Sequence, residues 1–271
     1  MPTSNKEYDK LIKKIDDILL SIKNEPQKFE SVFTELFDKD FEKGLNYINS
    51  LETGLLKGLV ISVKDLFDVK NYKTRGGSKF LNSLPANKDA DCIALIRKAG
   101  GLLLGHTNMT ELAYSGLGIN PHYGTPNNPL YNNSIPGGST SGGAVSIALD
   151  VADITIGTDT GGSTRIPAAF TGITGFKPTQ DNISRNGCLT LSSSLDSVGL
   201  MAKKVEHCKQ GYEVMKEKKK PNQKANSKGL KLIVPSNFGF ENIEPDVKLA
   251  FNSAKQKLID NGYNIVEEEI P

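Results

Sequence analysis

An α/β fold is the architecture this sequence predicts, and two observations predict it. Leu59-Val60-Ile61-Ser62-Val63 reads as a buried strand, residues 88–99 as a helix and Leu102-Leu103-Leu104-Gly105 as the next strand, the alternation from which α/β domains are built. In addition, 271 residues with 37% hydrophobic and 24% charged side chains supply an ample core, as one large domain or two smaller ones. Basic and acidic side chains number 33 and 31, a net charge of +2, which excludes a dominant role in binding nucleic acid or another polyanion. Cys92, Cys188 and Cys208 are odd in number and widely spaced, so neither a disulfide framework nor a zinc knuckle is indicated. No apolar run approaches the ~20 residues of a membrane span, and the lysine-studded N-terminus lacks the apolar stretch of a signal peptide. A soluble cytoplasmic protein is the expectation.

The elements follow in order. Residues 5–24 place Leu11, Ile12, Ile15, Ile18, Leu19 and Ile22 at helical spacing, with lysines and acids on the other face, as in a surface helix packed on a domain. A second helical stretch is expected over 29–50, after Pro26, so residues 1–50 read as an N-terminal helical segment on a core that begins at 51. Gly58 bounds the strand at 59–63, Gly100-Gly101 stops the helix at 88–99, and 120–136 is a long ordered loop rich in Pro, Asn, Gly and Tyr. Residues 137–175 hold nine of the 26 glycines, and within them 141–150 reads as a helix of small residues and 152–158 as a strand. Ten lysines between 203 and 231, among them Lys218-Lys219-Lys220-Pro221, describe a solvated helix running into a polar loop. A strand at 230–234 and a helix at 247–262 complete the pattern.

Three segments set polar residues where burial is expected. Strand alternation puts Val60, Ser62 and Lys64 on one face. A lysine at a strand end is either a surface residue or a buried amine whose desolvation makes it a base near neutral pH. In Pro136-Gly137-Gly138-Ser139-Thr140-Ser141-Gly142-Gly143, glycine pairs flank three hydroxyls just where a helix opens, whose N–H groups favour developing negative charge. One capping hydroxyl would need no further explanation; three between glycine pairs do. Gly157-Thr158-Asp159-Thr160-Gly161-Gly162-Ser163-Thr164-Arg165-Ile166-Pro167 has the glycine spacing of a phosphate loop but lacks the lysine that loop requires after its second glycine. What remains is a nucleophile and an oxyanion hole, with backbone N–H groups around Thr160, Gly161, Gly162 and Ser163 converging on one point. His106, His122 and His207 occur in no hydrolase motif, and His106 and His122 read as packing or hydrogen-bonding residues. Lysine therefore replaces histidine as the expected base.

These residues resemble the amidase signature family. The likeness runs through Ile61-Ser62-Val63-Lys64-Asp65, Gly105-His106-Thr107-Asn108-Met109-Thr110-Glu111, residues 136–143 and 157–167, Gly172-Ile173-Thr174-Gly175-Phe176-Lys177-Pro178-Thr179 and, more weakly, Ser194-Leu195-Asp196-Ser197-Val198-Gly199. Lys64 and Ser139 lie 75 residues apart and Ser139 and Ser163 lie 24 apart, both as in the family. The resemblance implies an α/β/α layered fold with a central mixed sheet over 51–271. It also implies a Ser–cis-Ser–Lys triad in which Ser163 is the acyl-enzyme nucleophile, Ser139 the bridging cis-serine and Lys64 the base. Thr160, Gly161, Gly162 and Ser163 match the oxyanion-hole backbone, Asp159 and Arg165 match supports of that loop, and Thr140 keeps a hydroxyl where many relatives have a second serine.

The physical logic fits these assignments: a serine hydroxyl is a poor nucleophile until a base takes its proton, and Lys64 must be neutral to do so. No metal and no cofactor is implied. The expected activity is hydrolysis of a small carboxamide to a carboxylate and ammonia or an amine. The alternative is the A subunit of a glutamyl-tRNA(Gln) or aspartyl-tRNA(Asn) amidotransferase, a glutaminase that passes ammonia to a partner subunit. A third reading, a degenerate copy kept as a binding module, is opposed by intact Lys64, Ser139 and Ser163. Leu66-Phe67-Asp68-Val69 after Lys64-Asp65, and Tyr114-Ser115-Gly116-Leu117-Gly118-Ile119-Asn120-Pro121, look more like the stand-alone amidases. Family members are considerably longer than 271 residues. The chain is accordingly expected to be incomplete at its C-terminal end, or to be completed by a small partner subunit or by forming a homodimer.

Overall fold

A computed structural model describes residues 6–81, 83–217 and 231–271. The chain divides into two compact units, residues 1–218 and 219–271. The first is built on a six-stranded mixed sheet whose strands β1 (Phe33–Leu36), β2 (Val60–Lys64), β3 (Leu102–Thr107), β4 (Ile154–Asp159), β5 (Thr174–Phe176) and β6 (Ser197–Ala202) lie in the order β1-β3-β2-β4-β6-β5. β2 runs parallel to both β3 and β4, whereas β1, β6 and β5 join antiparallel to β3, β4 and β6 respectively. Every residue of β2, β3, β4 and β6 is buried, which requires cover on both faces of the sheet.

Helices provide that cover. α4 (Ser141–Ala148) lies over β2, β3, β4 and β6, while α6 (Val205–Met215) packs on β4, β5 and β6 and touches α3 (Asp91–Lys98). Small residues let α4 sit close. A Cβ on Gly142 would fall 2.2 Å from the Val32 carbonyl oxygen. α1 (Lys6–Asn24) keeps the expected amphipathic face, with Leu11, Ile15 and Ile18 in the main core, and touches α2 (Asp38–Ser50). Lys14 Nζ donates to Asp153 Oδ2 (2.5 Å), which also accepts the Val60 N–H, tying α1 to the starts of the central strands β2 and β4.

The helix expected over 29–50 is two elements. Residues 33–36 instead form β1, because the antiparallel register Phe33↔Thr107, Glu35↔His106, Leu36↔Gly105 supplies backbone partners at the edge of β3 that local propensity does not reveal. The helix begins only at Asp38, after the buried Phe37. Pro167, a residue suited to a first helical turn, lies in the short α5 (Arg165–Phe170), whereas strands β5 and β6 are not evident from the sequence pattern. The 120–136 stretch is free of helix and strand, as expected. The second unit, by itself, is a β-α-β crossover: β7 (Lys231–Pro235) pairs parallel with β8 (Asn264–Glu268), joined by α7 (Pro245–Asp260) with its proline in the first turn. The polar loop expected beyond Lys218 lies outside the described residues. No described helix is long and apolar enough to cross a membrane.

Candidate active site

β2 delivers Lys64 to the middle of the first unit. Its side chain is fully buried, so of the two readings of a strand-end lysine the surface one is excluded. The amine donates to Ser139 Oγ (2.7 Å) and Thr158 Oγ1 (3.0 Å), and no carboxylate lies within ion-pair distance among the described residues. An ammonium has three protons to place and finds two hydroxyls. Burial drives the amine down from 10.5 to about 7, against the raising pull of Cys188, Asp159 and Asp196.

Ser139 sits in the turn that opens α4. The Gly138–Ser139 peptide is cis. Gly138 is fixed by its N–H to the Gly116 carbonyl (2.8 Å), and a Cβ there would lie 2.6 Å from the Gly118 nitrogen, so the backbones of the two loops are in contact. Ser139 itself is fully buried and its carbonyl accepts the Thr110 N–H (3.0 Å). The next residue, Thr140, donates its N–H to the Ser163 carbonyl (3.2 Å), which joins this turn to the loop after β4. Ser163 Oγ and Ser139 Oγ make no hydrogen bond to each other in the structure.

Asp159 organises the loop after β4. Its carboxylate accepts the Gly162 N–H at Oδ1 (2.9 Å) and the Thr164 and Arg165 N–H groups at Oδ2 (3.2 and 3.3 Å), and the Arg165 guanidinium clasps both oxygens (3.0 and 2.8 Å). Burial pushes the carboxyl up. The Arg165 hydrogen bonds and charge, with the backbone donors, overcome this and hold it below the usual carboxylate range. Gly162 is required in this turn, since its φ of +129° is strained for any other residue and a Cβ would meet Ile166 Cδ1 at 2.7 Å. Of the four N–H groups expected to converge, that of Gly162 is thus turned back onto Asp159, whereas those of Thr160, Gly161 and Ser163 donate to no group among the described residues. Space in front of Gly161 is open.

Sequence reasoning gave Thr158 and Asp196 no role. Thr158 is the next-to-last residue of β4, and Thr155 in the same strand offers the same signal, so composition does not single it out. Asp196 accepts the Thr160 hydroxyl (2.6 Å) and the Leu191 and Ser192 N–H groups, bracing the loop after β4 from outside. Thr140 is buried and its hydroxyl finds no partner; its methyl packs against Gly157 and Gly143 instead. His106 is wholly buried, with Nε2 at 3.0 Å from the Phe67 carbonyl, and His122 pairs with Glu111 at 2.8 Å. Neither bonds to a site serine. Among the described residues no cluster of histidine, cysteine or acid side chains is arranged to hold a metal, and the three cysteines are free.

A lysine amine and a serine hydroxyl buried together, beside a glycine-rich loop of unengaged N–H groups, are the parts of a serine-based acyl-transfer centre. The chain belongs to the amidase family, whose model, described as Amidase, matches residues 19–271. It is 36% identical over 234 residues to the A subunit of the Chromohalobacter salexigens glutamyl-tRNA(Gln) amidotransferase, covering 81% of this chain and 48% of that one. The corresponding protein of Methanospirillum hungatei is 35% identical over 80% of this chain and 53% of its own. Among solved structures, one described as an amidase superposes with a TM-score of 0.84 at 31% identity, covering 95% of this chain and 59% of that one. The A subunit of the Thermotoga maritima glutamyl-tRNA(Gln) amidotransferase superposes with a TM-score of 0.81 at 26% identity, covering 99% and 60%. The chain spans about half the length of the curated relatives it matches.

Proposed function

We propose that this chain carries the chemical centre of a metal- and cofactor-independent amidase that hydrolyses a small carboxamide to a carboxylate and ammonia or an amine. The observation that supports it is the buried Lys64 amine, held 2.7 Å from Ser139 Oγ with its pKa brought to about 7. In the neutral form that contact reverses. The Ser139 hydroxyl donates to Nζ and turns its oxygen to the Ser163 proton. Ser163 Oγ then attacks the amide carbon, its proton passing through Ser139 to Lys64, while the N–H groups of Gly161 and Ser163 receive the oxyanion. Collapse of the tetrahedral intermediate breaks the C–N bond as the same relay returns a proton to the leaving nitrogen. Water entering the acyl-enzyme repeats the sequence and frees the carboxylate. Asp159, Arg165, Thr160 and Thr140 shape the loop and take no part in proton transfer. Free Cys92, Cys188 and Cys208 fit a reducing, cytoplasmic setting.

A second reading has its own support. The curated relatives are amidotransferase A subunits, so the same centre would there release ammonia from glutamine for a partner subunit. Assaying ammonia or amine release from simple amides, aryl anilides, urea derivatives and glutamine, with and without partner subunits and tRNA, separates the two. Turnover of simple amides without partners supports the stand-alone amidase. Release from glutamine alone, dependent on partners and tRNA, selects the amidotransferase component.

A further inference from the structure

One residue beyond Lys64 the core holds a second titratable pair that the reaction does not use. Asp65 and His106 are both fully buried, with His106 Nδ1 3.5 Å from Asp65 Oδ1. His106 Nε2 faces the Phe67 carbonyl at 3.0 Å, and a carbonyl only accepts, so Nε2 carries the ring proton and Nδ1 presents a lone pair. That lone pair has no hydrogen-bond partner in the protein, and neither does Asp65 Oδ2. A carboxylate and an imidazole lone pair facing each other in a dry core repel. A proton on Oδ1 gives Nδ1 a donor and leaves Oδ2 an uncharged oxygen, whose burial without a partner costs far less than a carboxylate's.

We propose that Asp65 and His106 hold one proton between them, carried on the carboxyl and donated from Oδ1 to His106 Nδ1. The surroundings support this. The charged groups nearest the pair are Arg75, from the loop after β2, and Glu35, from β1, and they neutralise each other across 2.7 Å. The Thr34 hydroxyl and Tyr123 also face the carboxyl, and the Phe37 ring meets the imidazole edge-on at 4.9 Å. What holds Asp65 Oδ1 is the Arg75 N–H (3.0 Å), a single neutral donor. Burial accordingly pushes the carboxyl up and the imidazole down. The pair pins the ends of β2 and β3, where the Asp65 N–H meets the Thr107 carbonyl (3.1 Å), and it leaves no net charge one residue from Lys64. That last consequence rests on Lys64 being the base; the shared proton does not.

The pair has a signature in stability. An imidazole held neutral contributes stability present above its unfolded pKa and lost as pH falls; a carboxyl held protonated contributes stability present at low pH and lost as pH rises. Between pH ~4 and ~6.5 the two cancel, because folded and unfolded states each keep one proton on these groups. The test is denaturant unfolding of the intact chain across that window, wild type against Asp65→Asn, with ¹⁵N NMR of His106. At the Oδ1 position the asparagine can keep only one of the two contacts, the donor to Nδ1 or the acceptor for the Arg75 N–H, but it removes the cancelling carboxyl. Its stability relative to wild type should therefore fall as pH drops, with a slope approaching one proton, and wild-type Nδ1 should show the unprotonated shift. Parallel pH profiles, or a wild-type imidazolium protonated on both nitrogens, would overturn the proposal. Should the asparagine variant not fold, His106→Phe serves, with the opposite expectation: stability relative to wild type falling as pH rises, and a parallel profile overturning the proposal. None of these measurements depends on catalysis.

Discussion

Lys64 and Asp159 are two buried charges at the ends of neighbouring parallel strands, and the fold treats them in opposite ways. Asp159 receives three backbone N–H groups and a two-point clasp from Arg165, so its carboxylate is stabilised as an ion and its pKa is lowered. Lys64 receives two hydroxyls and no ion partner, and its pKa falls toward neutrality. A charge kept braces the fold; a charge let go is, under the proposed function, a base. The contrast shows how neighbouring strands of one sheet can hold one buried charge fully compensated and another uncompensated.

The largest effect should come from removing the proton acceptor. Lys64→Arg preserves a cation that cannot deprotonate, so amide turnover should fall by ~10²–10⁴-fold, as far as in Lys64→Ala, when ammonia release is followed. Ser163→Ala should be at least as severe. A fluorophosphonate should label Ser163 and no other serine, read by peptide mass mapping.

Stability separates the two charges by sign. Asp159→Asn weakens charge-assisted bonds that close the loop and should cost about 2–4 kcal/mol in denaturant unfolding. Lys64→Met should do the reverse. Because the folded pKa of about 7 lies below the unfolded 10.5, the lysine's contribution is present above 10.5 and lost as pH falls toward 7. The methionine variant should therefore gain stability relative to wild type across that window while losing turnover. If both variants destabilise equally at pH 7, the two groups are not treated differently at all.

Two smaller effects sharpen the comparison. Turnover should rise with pH through about 7 as Lys64 loses its proton, and EDTA should leave it unchanged. Thr160→Val deletes the 2.6 Å bond to Asp196 and should cost about 1 kcal/mol, with a modest drop in turnover from a looser oxyanion loop.

Much of this was legible because the chemistry sits in contiguous, compositionally odd segments. β2, α3, β3, α4 and β4 follow from apolar runs and glycine punctuation, while Lys64, Ser139 and Ser163 are pointed to by the resemblance to the amidase signature family. What escaped depends on partners distant in sequence. β1 exists because β3 offers an edge 70 residues away, and no periodicity within Phe33–Leu36 reports that. Thr158 matters because Lys64, 94 residues earlier, reaches it, and Asp196 because Thr160 does. The engagement of the Gly162 N–H by Asp159 was equally hidden, since backbone direction in a loop is not written in its composition. Whether Lys64 was surface or core hinged on the same long-range packing.

Thr140, Gly143 and Gly157 form one volume shared among three positions. A Cβ on Gly157 would come within 2.7 Å of the Thr140 methyl, and one on Gly143 within 2.9 Å of it and 2.6 Å of Thr155 Oγ1. Mutational history at this spot is consequently ordered. An alanine at 157 would meet the Thr140 hydroxyl at 2.8 Å as well as its methyl, so Thr140→Ser relieves only part of the clash. Thr140→Ala removes both atoms, and the double change with it should be milder than Gly157→Ala alone. The residue at 140 has to change first, and by more than its methyl group.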